Sequence, residues 1–203
     1  MIEDKEKSLK DALTKSYQSA TAILEDGREF RCLINPNKIS MELDDKMLSI
    51  PFEDVCLNKS SNEKEKIEVK CGSVIEWKEN GTHWLVYSQY LQETAYFRGL
   101  MRQCENEFIE IGGKRFWYYL KGPDEKGIDW QKTKHFIFNN LNYTVEIYIS
   151  NTKETNEFFH RFKKLKIKGK SFEVQAVDNL STDGILTVYL KEDYTNDWAQ
   201  VEK

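Results

Sequence analysis

The sequence contains no apolar run that approaches the roughly 18 residues needed to cross a bilayer. Its first residues, MIEDKEKSLKD, are too polar for the hydrophobic segment of a secretory signal peptide. These two absences predict that the chain has no membrane partner. We expect it to be made, and at first to stay, inside a cell.

Cysteine is scarce and shows no metal-binding or redox spacing. The four cysteines, Cys32, Cys56, Cys71 and Cys104, form no CxxC pair and have no histidine close by in the sequence. Zinc sites and thiol redox motifs depend on such spacing, so both are disfavoured. In a reducing compartment these residues are expected to be small, buried, reduced side chains.

Motifs of catalysis are also missing. There is no GxSxG nucleophile elbow, no GxxxxGK[S/T] phosphate loop, no GxGxxG fingerprint and no HExxH metal motif. The histidines, His83, His135 and His160, lie far apart, and the carboxylate pairs Asp44-Asp45 and Asp124-Glu125 fall in turn-like segments. We therefore expect no enzymatic activity, no cofactor and no metal ion, although convergence of the histidines in space stays open.

The 203 residues suit one ordinary domain or two small ones. Residues 1–110 hold 15 basic and 21 acidic side chains, whereas residues 111–203 hold 15 and 13. Gly112-Gly113 lies at this change and is predicted to be a hinge or tight turn at a domain boundary. The expected parts are an N-terminal helix at 1–20, a first β-rich domain at 21–111, a second at 112–195 and a polar C-terminal tail at 196–203.

The stretch from Ile67 to Ile111 shows the clearest strand pattern. Asn80-Gly81 separates two strand-like segments, Val74 to Trp77 and His83 to Tyr87, and this dipeptide favours the type I′ turn of a hairpin. After it, Thr94 to Cys104 alternates between two faces, as a half-buried strand does. Linked antiparallel strands of this kind can form a small sheet or barrel.

Other segments extend this pattern. Asp26-Gly27 predicts a second hairpin, with Phe30, Cys32 and Ile34 alternating inward. Further strands are expected over residues 114–120, 134–138, 143–149, 163–168, 172–177 and 185–190. Helical spacing predicts the N-terminal helix from Leu9, Ala12, Leu13, Ser16, Tyr17 and Ala20. The expected fold is mainly β, with an N-terminal α-helix followed by two small antiparallel halves that are barrel-like or sandwich-like.

The stretch RFKKLKIKGK, Arg161 to Lys170, is strongly basic and has two interpretations. It could meet nucleic-acid phosphates or an acidic protein surface. Its alternation instead suits the solvated face of a strand, with Leu165 and Ile167 inside and lysines that guard a sheet edge against unwanted pairing. The role of the many aromatic side chains is equally open, because such residues can stack on bases, anchor protein interfaces or fill a core.

Several segments carry a family likeness together: GSVIEW, HWLVY and ETAYFRGLMRQC in the first half, then FWYYLKGP, LNYTVEIYI, GKSFEVQAVD and STDGILTVYLKE. In this order they resemble small structural proteins of tailed bacteriophages, of the neck, head-closure or head-tail adaptor kind. The resemblance covers roughly residues 20–195. It implies rings of small β-barrels stacked under the portal, a passage for DNA and no catalysis. The second β-rich half sets this chain apart from shorter head-closure proteins.

The resemblance implies a ring-forming virion protein at the head-to-tail junction, assembled in the cytoplasm of a bacterial host. Its expected partners are copies of itself and portal, neck or tail proteins, and a non-specific contact with passing DNA stays open. One alternative is a nucleic-acid-binding β-barrel protein, and another is an enzyme of unknown type. We expect the acidic N-terminal half of one subunit to meet the basic C-terminal half of the next. Candidate interface residues are Leu13, Tyr17, Tyr96, Arg98, Arg102, Lys164, Lys166 and Lys168.

Overall fold

The computed structural model describes residues 19–36, 46–51, 68–90, 96–122 and 144–193, together with Asp11. They contain twelve strands and the short helix α1 (Lys153–Phe158). The strands are β1 (Ser19–Leu24), β2 (Glu29–Pro36), β3 (Lys46–Pro51), β4 (Val74–Trp77), β5 (Thr82–Tyr90), β6 (Tyr96–Gln103), β7 (Phe108–Ile111), β8 (Lys114–Lys121), β9 (Thr144–Ser150), β10 (Lys164–Ile167), β11 (Lys170–Asp178) and β12 (Ile185–Glu192). The predicted mainly β fold is confirmed.

Strands β1 to β6 close into a barrel in the order β1-β2-β3-β6-β5-β4, and the pairing of β1 with β4 completes the ring of strands. Neighbouring strands are antiparallel. Because successive side chains of a strand point to opposite faces, alternate side chains of each strand point into the barrel. Phe30, Cys32 and Ile34 are buried in the barrel core, as their spacing predicts. Phe97 and Met101 of β6 pack into the same core.

Both predicted hairpins of the barrel are confirmed, but their turns are not of the predicted type. Trp77 pairs with Thr82, so four residues form the loop, and among them Gly81 alone has a positive φ, of 67°. The Asn80 side chain accepts hydrogen bonds from the backbone N–H and the hydroxyl of Thr82, at 3.0 and 2.6 Å. These bonds stabilise the longer loop without a left-handed Asn80.

The remaining strands form a six-stranded sheet in the order β10-β11-β12-β9-β8-β7. It curls into a half-barrel, because Ile111 near one edge and Ile167 near the other are buried in the same core. Lys168 holds the two edges together. Its backbone N–H donates to Glu107 Oε2 at 3.3 Å, and its Nζ lies 2.6 Å from Glu105 Oε2. Strands β7 and β10 stay as the edges of this sheet.

Gly112 and Gly113 form the two-residue turn between β7 and β8, where Ile111 lies opposite Lys114. Their φ angles are 59° and 79°, and two positive values are what a type I′ turn requires. Because β7 and β8 belong to one sheet, this turn is not a hinge between the two halves. The chain passes from the barrel to the half-barrel earlier, after the end of β6 and before the start of β7.

The N-terminal helix predicted over residues 1–20 is not supported. Strand β1 begins at Ser19, and the residues before it lie outside the described part of the chain, apart from Asp11. Helix α1 instead begins after Thr152, whose side chain accepts from the Thr155 N–H while the Thr155 side chain accepts from the Thr152 N–H. The polar tail predicted at 196–203 also lies outside the described residues.

Backbone contacts join the barrel to the half-barrel at a pair of glycines. Gly72 and Gly184 have φ angles of 86° and 75°, and a Cβ on Gly72 would lie 1.8 Å from the Gly184 carbonyl oxygen. The Ser150 hydroxyl donates to the Gly72 carbonyl at 2.6 Å. Only glycine fits either position, so the two halves are held at a short, fixed spacing.

An apolar cluster fills the joint beside the glycine pair. Val74 and Leu85 of the barrel, Ile185 of the half-barrel and Cys104 between them are buried together. Burial raises the pKa of the Cys104 thiol far above its ordinary value, so the side chain stays protonated. Cys104 and Cys32 are buried and free, as the sequence predicts, whereas Cys71 is only half-buried and Cys56 lies outside the described residues.

Candidate functional site

A cleft of about 580 Å³ opens between the barrel and the β7–β8 hairpin of the half-barrel. The end of β1, the turn after it, β4 and β5 supply one wall, and the start of β8 supplies the other. Its apolar lining is Ile23, Leu24, Val74, Phe116 and Trp117, and its polar lining is Glu25, Glu76, His83, Lys114 and Arg115. Since Val74 follows Gly72 by two residues, the glycine joint sets the position of the first wall.

His83 and Trp117 bridge the two walls of the cleft. Their rings stack, with centroids 3.6 Å apart and planes 14° apart. His83 lies on β5 opposite Glu76, and Trp117 lies on β8 opposite Phe108, whose ring meets the edge of Trp117 at 5.5 Å. The stack therefore brings together two hairpins that strand patterns alone do not place side by side.

The two carboxylates of the cleft differ in the groups that lie near their negative charges. Glu25 is exposed at the cleft, yet partial desolvation, and then the charge of Asp26, raises its pKa. Among the described residues none forms an ion pair with Glu25. Glu76 Oε2 lies 4.0 Å from His83 Nε2. Burial lowers the pKa of His83 more than Glu76 raises it, so His83 is neutral at neutral pH and does not offset the charge of Glu76.

The two cations that line the cleft are engaged within the chain. Lys114 Nζ lies 2.5 Å from Glu154 Oε1 on α1, and this hydrogen bond holds the pKa of Glu154 at about 2. The Arg115 guanidinium lies over the Phe108 ring, 4.7 Å from its centroid. The cleft therefore presents apolar walls with two carboxylates that have no strong partner.

Arg102 is a predicted interface residue that the structure uses inside the chain. Its guanidinium lies 4.5 Å from the centroid of the Tyr87 ring and 5.3 Å from that of Tyr119. Tyr87 belongs to the barrel and Tyr119 to the half-barrel, so Arg102 ties the two halves together. Arg98, on the same strand, is half-buried.

Three of the predicted interface side chains, those of Leu13, Tyr17 and Tyr96, lie outside the described residues. The backbone of Tyr96 is described, and it pairs with Pro51 at the start of β6. Of the predicted interface residues, only the arginines and lysines therefore have side chains that the structure describes.

The basic run lies where the edge-guarding interpretation requires it. Strand β10 is an edge of the half-barrel, with Ile167 buried, Leu165 half-buried and Lys166 exposed between them. Lys164 Nζ lies 2.7 Å from Asp193 Oδ2 within the chain. Lys166 makes no ion pair with any described residue, so it is the lysine of β10 whose charge is open to another molecule.

Lys168 changes the interpretation of the charge pattern. With a φ of 49°, it lies in the turn after β10, and it pairs with Glu105. Counting along the sequence places Glu105, Glu107 and Glu110 in the acidic first half, yet Glu110 lies on β7 of the half-barrel and the other two lead into that strand. Part of the expected attraction between acidic and basic halves therefore acts within one chain.

Phe162 is an exposed aromatic residue that the sequence analysis did not single out. Its side chain is 63% exposed, and its φ is 69°, a conformation that bulky residues rarely adopt. The Phe162 N–H donates to the Val174 carbonyl at 2.8 Å, and the Val174 N–H donates to the Lys163 carbonyl at 2.8 Å. These bonds fix the distorted backbone just before β10.

Arg161 and Phe162 together form what we call the knob. The Arg161 guanidinium lies 4.9 Å from the centroid of the Phe162 ring, and both side chains are exposed. One local feature of the sequence marks the knob: Phe162 lies between the basic residues Arg161 and Lys163, directly before the strand alternation begins. Exposure itself is set by the way β10 and β11 pack, which local pattern does not show.

Comparison of the chain with protein-family models, with curated proteins and with solved structures gave no match. Within the described ranges, no group of three or more His, Cys, Asp or Glu side chains is placed to hold a metal ion. No helix in the same part of the chain is long and apolar enough to cross a membrane.

Proposed function

We propose that this chain is a ring-forming structural protein of a bacteriophage virion, in the neck between the portal and the tail. One observation carries the proposal: the barrel and half-barrel meet backbone to backbone at Gly72 and Gly184, at a separation that admits no side chain. A ring closes only when each subunit presents its two contact surfaces at the same angle. A rigid joint between two β units keeps that angle constant.

The family resemblance supports the same proposal through the elements that carry it. GSVIEW and HWLVY lie in the β4–β5 hairpin of the closed barrel, and GKSFEVQAVD and STDGILTVYLKE supply β11 and β12 of the half-barrel. Proteins of this kind are rings of small β-barrels, and this chain supplies one barrel and one half-barrel per subunit.

In this proposal the chain acts through its shape, without a catalytic step. Copies of it surround a passage for DNA, and portal, neck or tail proteins bind on either side of the ring. The open edges of the half-barrel carry exposed charges, Lys166 on β10 and Glu110 on β7. Charged edges resist strand addition, so contacts between copies are expected to use side chains and not a shared sheet.

A nucleic-acid-binding barrel is the alternative, and its basic run has less support because of the ion pairs it makes. Lys164, Lys168 and Lys170 each lie within 3.0 Å of a carboxylate oxygen of the same chain. Cations that already have such partners add less to phosphate binding. DNA binding by the isolated protein that weakens steeply with salt would favour this alternative.

The position of the chain in a virion tests the proposed function. Tailed particles from the cell that encodes it are purified and labelled with an antibody raised against the chain. We expect label at the head-to-tail junction of tailed particles, and heads that fail to join tails when the gene is deleted. Label along the tail or over the head, or purified particles that lack the chain, would contradict the proposal.

A further inference from the structure

We propose that the knob of one copy, Arg161 with Phe162, inserts into the cleft of the next copy. The phenyl ring packs against the apolar walls, and the guanidinium lies beside Glu25 and Glu76. This inference rests on the ring proposed above and names the contact that joins its subunits. Because knob and cleft are different surfaces, the contact is head to tail, the kind that closes into rings.

The knob has the properties of an interface anchor. Phe162 is 63% exposed in a left-handed backbone conformation, and neither feature helps an isolated chain to fold. The paired backbone bonds with Val174 nevertheless hold this conformation in place. Aromatic and arginine side chains are the ones that most often carry the binding energy of protein interfaces.

The cleft complements the knob in shape and in charge. Its volume of about 580 Å³ lies in the range of pockets that enclose organic ligands, so a phenyl ring and a guanidinium have room. Ile23, Val74 and Phe116 offer apolar walls to the ring. Glu25, which has no ion pair among the described residues, offers a carboxylate to the guanidinium, and Glu76 adds a second.

The cations of the cleft do not cancel this complementarity. Lys114 forms an ion pair with Glu154, whereas Arg115 keeps its positive charge over the Phe108 ring. Three carboxylates, those of Glu25, Glu76 and Glu154, thus stand against two cations, and the formal charge around the cleft stays negative. The knob does not fill the cleft of its own chain, since no residue of the 158–163 segment is among the described residues that line it. A second copy is therefore the occupant that the charges and the apolar surfaces of this chain favour.

Removing the phenyl ring tests the apolar part of the contact. Phe162→Gly is expected to fold at least as well as the wild type, because glycine accepts a φ of 69° without strain. We expect it to weaken self-association, measured by analytical ultracentrifugation over a range of concentrations, by about tenfold or more. Leu180→Ala is the matched control, because Leu180 is 91% exposed and follows the end of β11, whereas the knob bonds to Val174 within that strand, and it should leave association unchanged.

A charge swap tests the polar part. Arg161→Glu and Glu25→Lys should each lose self-association when studied alone, because each variant pairs like charges. An equimolar mixture of the two variants should regain it, because every knob then meets a cleft of opposite charge. Lys153→Glu reverses a charge on the solvent side of α1, where the Lys153 side chain is 85% exposed and pairs only with the exposed Glu157 at 3.8 Å, and it should leave association unchanged.

The negative outcomes of these experiments distinguish the knob-in-cleft contact from the proposed ring. Wild-type association that survives both Phe162→Gly and Arg161→Glu would overturn the knob-in-cleft contact and leave the ring standing. A mixture of the two charge variants that stays dissociated would also overturn the contact. A wild-type chain that is monomeric up to its solubility limit would overturn both the contact and the ring.

Discussion

Gly72 and Gly184 face each other across the joint between the barrel and the half-barrel, with no room for a Cβ on either residue. Each adopts a positive φ, and the Gly72 carbonyl accepts the hydroxyl of Ser150 from the other half. We expect two β units that meet in this way to move as one rigid body. Their spacing also sets the width of the cleft between them.

Gly72→Ala is expected to destabilise the protein far more than Gly27→Ala. The two glycines have nearly equal φ angles, 86° and 85°, so the left-handed strain of alanine, about 1–2 kcal/mol, is common to both. Only at Gly72 would the new Cβ meet backbone, whereas at Gly27 nothing lies within 4 Å. We expect Gly72→Ala to lose at least about 3 kcal/mol in urea denaturation. Equal losses would show that the joint can open at little cost.

Acidification below a pH of about 6.5 is expected to destabilise the protein through His83. Burial holds the pKa of folded His83 below its ordinary value of 6.5, so the unfolded chain takes up a proton first as the pH falls. The contribution is complete above the unfolded pKa and is lost as the pH falls through the lower folded pKa. His83→Gln should remove this dependence from the urea midpoint, whereas His160→Gln, at an exposed position, should keep it.

The titration of the His83 ring itself gives an independent check. Its proton NMR signals should shift with a midpoint below 6.5, because burial outweighs the attraction of Glu76 at 4.0 Å. A midpoint above 6.5 would mean that the carboxylate dominates, and the sign of the pH dependence would reverse.

Arg102→Ala is expected to lower the free energy of unfolding by about 1–2 kcal/mol, because the guanidinium loses contacts with the rings of Tyr87 and Tyr119. Arg115→Ala removes a single ring contact, with the exposed Phe108, and should cost less than about 1 kcal/mol. Chemical denaturation measures both. Loss of self-association by Arg102→Ala at unchanged stability would instead return Arg102 to the subunit interface.

The lysines of the basic run are expected to respond differently to charge reversal. Lys164→Glu and Lys168→Glu should each lower stability, because each places a negative charge beside a carboxylate, that of Asp193 or Glu105. Lys166→Glu has no such neighbour and should change the free energy of unfolding by less than about 0.5 kcal/mol. Urea midpoints decide between these outcomes.

The salt dependence of assembly distinguishes a role of these lysines in assembly from a role in folding. If the triple variant with Lys164→Glu, Lys166→Glu and Lys168→Glu assembles slowly because of exposed charge, the defect should fade at about 1 M salt, where the Debye length is roughly 3 Å. Assembly at the wild-type rate at every salt concentration would leave the lysines as an edge-guarding face alone. A defect carried fully by Lys166→Glu would identify the lysine that meets another subunit.

Local patterns predicted many of the strands, but not β7, and the strand expected over residues 134–138 lies outside the described residues. Phe30, Cys32 and Ile34 alternate in the sequence and all lie in the barrel core, and Asn80-Gly81 lies in the β4–β5 hairpin. The turn type was not predictable from the dipeptide, because the hydrogen bonds between Asn80 and Thr82 support a four-residue loop. Helical spacing before β1 likewise predicted more helix than the structure supports.

The boundary between the halves and the cleft depend on pairing that no local pattern contains. The charge balance changes at residue 110, but Glu110 belongs to the half-barrel because β7 pairs with β8. The cleft combines residues from β1, β4, β5 and β8, which meet at the stack of His83 on Trp117 and beside the glycine joint. Phe162 precedes β10 at the sheet edge, and its exposure likewise depends on strand pairing and not on a local pattern.

Electron microscopy of the purified protein at high concentration tests most directly whether the chain closes into a ring. We expect closed particles with one copy number above two and an open central channel, and we expect these particles to be absent from preparations of Phe162→Gly. A wild-type protein that forms only monomers, compact dimers or open filaments would contradict the ring.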